Sequence, residues 1–114
     1  MYIIYHNSRC KISRQVLDEL KSKVSEEIVV IDYLNNKFDF NKLDMLLKLL
    51  NIEAKDLVRK NEALYKLQLK NKNFGREEWI QILIENPKLI ERPIVVKDYK
   101  GVVCRPPERL NELM

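Results

Sequence analysis

The opening of the chain restricts it to a small set of folds. Tyr2-Ile3-Ile4-Tyr5 is an apolar run of strand length, and Ile28-Val29-Val30-Ile31 is β-branched throughout. Between them, Val16, Leu17 and Leu20 recur at helical spacing within a segment running from Lys11 to Lys23. A strand, a helix and a second strand in that order form a parallel pair joined by a crossover helix. The second run reads as a strand buried on both faces.

The junction between first strand and first helix carries the reactive chemistry. Tyr5-His6-Asn7-Ser8-Arg9-Cys10-Lys11-Ile12-Ser13-Arg14 places Cys10 where unpaired backbone N–H groups and the positive end of the helix dipole meet. A thiol there ionises more readily than a free one, and the thiolate is the nucleophile. Arg9, Lys11 and Arg14 add positive charge, while His6 is placed to tune the sulfur or to fill an ordinary strand-end position. These flanking residues are wrong for an apolar interior, so burial as a small hydrophobe is the weaker reading of Cys10. Position 13 is serine, which excludes a Cys-x-x-Cys pair, and position 16 is valine, which excludes a Cys-x5-Arg anion loop. A resolving thiol must come from Cys104 or from outside the chain, and any anion-binding guanidinium must come from elsewhere in it.

From Asp39 the pattern becomes helical. Leu43, Leu46, Leu47 and Leu50 line one face, Asp39 is placed as N-cap, and Asn51 stands where a left-handed residue often ends a helix. A short helix is expected over 63–70 with Leu64, Tyr65 and Leu67 inward. Another is expected over 77–85 with Trp79, Ile80 and Leu83 buried, stopped by Asn86-Pro87. After Pro93, Ile94-Val95-Val96 and Val102-Val103-Cys104 flank a polar turn ending at Gly101, the pattern of a hairpin. Pro106-Pro107-Glu108 opens a last helix docked by Leu110 and Leu113. The expected class is α/β: one domain over 1–114 with a mixed four-stranded sheet, β-α-β then β-β-α, and a helical block over 39–86 inserted between. Without the block, this layout resembles the thioredoxin fold.

Several function classes are excluded or disfavoured. The chain has two glycines, too few for a phosphate-cradling Gly-rich loop, and one histidine, too few for a multi-histidine metal site. No apolar run approaches the ~20 residues of a membrane helix, and no secretory signal is visible, so a cytoplasmic location is expected. The net charge of +4 is spread along the chain rather than gathered into a nucleic-acid-binding tail. Arg59, Arg92 and Arg105 are candidates to bind a tetrahedral oxyanion through forked hydrogen bonds, or else are surface arginines. Cys104, beside Val103, is expected to be a buried packing residue.

Three stretches taken together resemble the glutaredoxin-coupled arsenate reductase family: His6-x3-Cys10-x3-Arg14, Asp56-Leu57-Val58-Arg59-Lys60, and Glu91-Arg92-Pro93 with Arg105-Pro106-Pro107-Glu108. The resemblance runs nearly end to end. It implies a thioredoxin-like fold with a helical insertion, and a structural, cis Pro93 opening the third strand. It also implies reduction of arsenate to arsenite with no bound cofactor or metal. Cys10 is then the nucleophile, with His6 and the helix start aiding its ionisation. Ser13 and Arg14 belong to the substrate-binding loop, and Arg59, Arg92 and Arg105 cradle the oxyanion and its thiol adduct. Glutathione is the co-substrate and glutaredoxin resolves the mixed disulfide. Ser8 stands where the family usually has proline, and Cys104 where it usually has glycine. Two other readings are a thiol-switch regulator of the Spx type that binds RNA polymerase, disfavoured by Ser13, and a glutathione-dependent thiol–disulfide exchanger without an oxyanion pocket.

Overall fold

A computed structural model describes residues 1–114, which divide into two compact units, Met1–Asn36 with Arg92–Met114, and Lys37–Glu91. The first unit is built on a four-stranded sheet. Its strands are β1 (Tyr2–His6), β2 (Ile28–Asp32), β3 (Ile94–Lys97) and β4 (Lys100–Val103), and their spatial order is β2-β1-β3-β4. β1 and β2 are parallel and joined by helix α1 (Lys11–Lys23), whereas β3 runs antiparallel to both β1 and β4. This is the thioredoxin-like arrangement.

Alternate residues of β1 are buried, and Tyr2 and Ile4 join Val16 and Leu20 of α1, Val95, Val102, Cys104 and Leu110 in one apolar cluster. Period-two burial from the strand meets period-3.6 burial from the helix, which fixes α1 against the sheet. β2 differs from the expectation. It lies at the sheet edge with no fully buried residue, and Val30 is 45% exposed. The strand buried through Ile94, Val95 and Val96 is β3, which has a neighbour on either side.

The hairpin also differs in detail. Its turn is Asp98-Tyr99 alone, with Asp98 at φ 54°, and Gly101 sits inside β4 opposite Val96. Aspartate tolerates the left-handed conformation through its short polar side chain, so the turn does not need the glycine. Pro107–Leu113 forms a 3₁₀ helix rather than an α-helix, and Leu110 is fully buried.

In the second unit, α2 (Phe40–Leu50) buries the expected Leu43, Leu46, Leu47 and Leu50. The Asp39 side chain accepts the Lys42 N–H at 2.7 Å, and Asn51 ends the helix at φ 55°, ψ 45°. A 3₁₀ turn over Ala54–Leu57 follows, then an isolated bridge between Val58 and Ile90. Tyr65–Leu69 is a π-helix. Its wider turn turns Leu67 outward to 81% exposure and buries Leu69 instead, correcting the inward placement of Leu67. α3 (Arg76–Glu85) buries Trp79, Ile80 and Leu83 as expected and ends at Asn86. No helix is long and apolar enough to cross a membrane.

Candidate active site

The loop between β1 and α1 is organised by Asn7. Its carbonyl accepts the Cys10 N–H at 3.0 Å, its side-chain Oδ1 accepts the Arg9 N–H at 3.0 Å, and its own N–H donates to Ser13 Oγ at 3.0 Å. The first two bonds make a tight turn of the kind asparagine favours. The turn delivers Cys10 to the N-cap of α1, where the Cys10 carbonyl accepts the Arg14 N–H at 3.0 Å as the first helical bond. No acidic residue occupies the first turn of α1, so the positive end of its dipole is left for the sulfur. Asn7 is a site residue outside the expected set; its signal in the chain is an asparagine three residues before a cysteine at a helix start.

Ser13 is fully buried and links two of the expected residues. His6 Nδ1 lies 2.7 Å from its hydroxyl oxygen. The same oxygen accepts the Asn7 N–H, so one buried hydroxyl joins the His6 ring to the loop backbone. Burial lowers the His6 pKa below its ordinary value, with Lys21 and Arg14 adding to the effect and Asp32 and Asp18 opposing it, so the ring is neutral at pH 7. The His6 ring nitrogen thus bonds Ser13 rather than Cys10. Arg14 is exposed, and its Nη1 donates to the Ser8 carbonyl at 2.8 Å, bracing the loop.

Cys10 is partly buried and unpaired with any other cysteine. Arg105 Nη1 stands 3.7 Å from its Sγ and 3.2 Å from the Arg92 carbonyl oxygen. Burial pushes the thiol pKa up, but the Ser13 backbone amide and the Arg92 and Arg105 guanidinium groups outweigh it, and the net shift is downward. The Ser13 amide acts from the first turn as a charge-stabilising dipole, since no N–H of that turn makes a cap hydrogen bond to the sulfur. The Arg92–Pro93 peptide is cis, as the resemblance implies, and so is Arg105–Pro106. The Pro93 carbonyl accepts the Cys104 N–H at 2.9 Å, which ties the residue after Arg92 to the residue before Arg105.

Cys104 is fully buried in the apolar cluster just past the end of β4. Burial pushes its thiol up to about 12. It makes no disulfide.

Arg59 belongs to the second unit. Its N–H donates to the Leu89 carbonyl at 2.7 Å beside the Val58–Ile90 bridge, and the Glu91 N–H returns a bond to Leu57 at 2.8 Å. Its side chain is 12% exposed, with Nε 3.7 Å from Glu91 and 3.9 Å from Glu62. No cluster of His, Cys, Asp and Glu is arranged to hold a metal ion.

The chain matches the model of the ArsC family over residues 5–113. It belongs to the ArsC family. Among its ArsC relatives, the Haemophilus influenzae arsenate reductase is 36% identical over 98% of this chain and 97% of its own. The Escherichia coli K12 protein YfgD, whose function is uncharacterised, is 44% identical over 97% of this chain and 94% of its own. Among solved structures, the arsenate reductase from Vibrio cholerae superposes with a TM-score of 0.91 at 35% identity, covering 99% of this chain and 97% of that one. Within this ArsC-family protein, the structure brings together Cys10, His6, Ser13, Arg14, Arg92, Pro93 and Arg105 around one end of the sheet, where β1 finishes, β3 begins and β4 finishes.

Proposed function

We propose that the protein is a thiol-dependent arsenate reductase that uses glutathione and glutaredoxin as reductants. The observation that carries this reading is the Arg105 guanidinium 3.7 Å from a thiol held below its ordinary pKa at the start of α1. Thiolate and oxyanion repel, and a guanidinium facing both lowers that cost while the As–S bond forms.

In the proposed reaction the Cys10 thiolate attacks arsenic and displaces one arsenate oxygen, which leaves as water after protonation. The product is Cys10–S–AsO(OH)2. The thiolate of glutathione then attacks the Cys10 sulfur. The S–As electron pair passes to arsenic, reducing As(V) to As(III), and arsenite leaves as As(OH)3 with one proton from glutathione. The remaining Cys10–glutathione disulfide is opened by a glutaredoxin thiolate, which takes the glutathionyl group and returns Cys10 as thiolate. Arg92 and Arg105 bind the oxyanion, and Ser13 and His6 keep the loop in place. The reaction uses no resident cofactor or metal and belongs to a glutathione-buffered compartment such as the cytoplasm.

The ArsC family membership supports the choice of arsenate, and Ser13 supports an external resolving thiol, because the loop carries no second cysteine. The test is arsenate-dependent NADPH oxidation in the presence of glutathione, glutaredoxin and glutathione reductase. Turnover by the wild type and its loss in Cys10→Ser are expected. No turnover, or equal turnover in Cys10→Ser, overturns the proposal.

A further inference from the structure

The second unit contains a lysine-lined cavity that the chemistry at Cys10 does not use. Its volume is about 170 Å³, and Lys55, Lys60, Lys70 and Lys72 line it together with Tyr65 and Asn73. Phe74 and Trp79 close its apolar side, packed edge to face with ring centroids 5.0 Å apart. No carboxylate is among the lining residues.

The backbone explains how this set converges. In an α-helix, residues five apart point in different directions, whereas π spacing closes a turn at i+5 and sets them nearly in line. The π-helix over Tyr65–Leu69 therefore brings Tyr65 and Lys70 to one side, and both line the cavity. The same wide turn leaves Leu67 exposed to solvent, so apolar burial at that position does not account for it.

The four lysines that line this small space are exposed and carry like charge, and an anion placed among them is attracted by all four. The volume decides its size. Pockets for drug-sized ligands start at about 300 Å³, so this one takes a compact anionic group rather than a whole nucleotide. Lysines act on phosphate as point charges, and the Tyr65 hydroxyl and Asn73 amide add hydrogen-bond donors. We propose that this cavity binds a phosphate group, either as inorganic phosphate or as the end of a phosphomonoester.

The chain has one tryptophan, and it lines the cavity, so intrinsic fluorescence reports occupancy. Inorganic phosphate and a nucleoside monophosphate are titrated at constant ionic strength against a chloride control. A saturable change in Trp79 emission is expected in the wild type and equally in Cys10→Ser and Arg105→Ala. Lys70→Gln/Lys72→Gln and Lys60→Gln/Lys70→Gln should each weaken it by about tenfold or more, since each removes two of the four lining lysines. Tighter binding of the monophosphate assigns the site to an ester, and equal binding assigns it to free phosphate. A response matched by chloride, saturation unchanged in both lysine double variants, or loss of the response in Arg105→Ala overturns the proposal. Far-UV circular dichroism of each variant confirms that the fold is retained. Failure of the arsenate assay leaves these outcomes unaffected.

Discussion

Arg105 spans two acceptors with one nitrogen: its Nη1 stands 3.7 Å from the Cys10 sulfur and 3.2 Å from the carbonyl oxygen of Arg92. The second contact restrains the guanidinium independently of the first. Arg105 is thus aimed at the thiol before any anion arrives, and little side-chain entropy remains to be lost on binding.

Replacing Arg105 with alanine should raise the Cys10 pKa and reduce arsenate turnover together. A hydrogen bond to a charged group contributes about 1.5–3 kcal/mol, so kcat/KM for arsenate should fall by about 10- to 150-fold. Arg105→Lys should retain part of the thiol shift, because the charge survives while the fork does not. The checks are steady-state kinetics and the pH profile of iodoacetamide alkylation; a profile unchanged in Arg105→Ala would refute the role given to its charge.

The two thiols should bend the stability–pH curve in opposite directions. Cys10 has a depressed folded-state pKa. Its contribution is fully present above the unfolded thiol value of about 8.5 and is lost as pH falls through the folded value. Cys104 has its pKa raised to about 12. Its neutral form is favoured by folding, so that contribution is full below about 8.5 and declines as pH rises towards 12. Urea unfolding at pH 6 and pH 9 should show Cys10→Ser losing more stability relative to wild type at pH 9. Comparison of Cys104→Ala with wild type should show the variant recovering ground between pH 9 and pH 11.

Native protein should expose one fast thiol. Cys10 is partly buried beside positive charge, while Cys104 is fully enclosed and protonated. A disulfide-exchange reagent at pH 7 should count one thiol before denaturation and two after. Cys10→Ser should show none until it unfolds, and a fast native thiol in that variant would mean that Cys104 is accessible.

Ser13→Ala should damage both fold and reactivity. It leaves the buried His6 ring nitrogen and the Asn7 N–H without their partner, at a cost of about 1–3 kcal/mol. The Cys10 alkylation midpoint should rise because the loop that positions the first-turn amides loosens. Ser13→Thr, which keeps the hydroxyl, should retain most of the midpoint shift. Denaturant titration and the alkylation profile separate the two effects.

Much of this was legible in local residue patterns. The bounds of α1, the Asp39 cap, the left-handed Asn51 and the buried faces of α2 and α3 each follow from interactions within a few residues. Cys10 at a helix start followed for the same reason. What the sequence did not reveal depends on partners distant in the chain. β-Branched composition does not distinguish an edge strand from a central one, so Val30 looked buried. A π turn and an α turn present the same apolar spacing until the backbone chooses, so Leu67 looked inward. His6 was four residues from Cys10 in sequence, yet its hydrogen bond goes to Ser13, seven residues away.

The two-residue turn at Asp98-Tyr99 has a consequence for catalysis at the opposite end of its hairpin. It fixes Ile94 opposite Val103, and hence Arg92 and Arg105, which each stand two residues beyond that pair at the same end of the hairpin. One residue of slippage along a strand is about 3.3 Å, nearly the whole Arg105–Cys10 separation of 3.7 Å, and it also reverses which face each side chain occupies. The turn is therefore a length gauge. An insertion there, without touching any residue at the thiol, shifts the reach of Arg105 by one full notch.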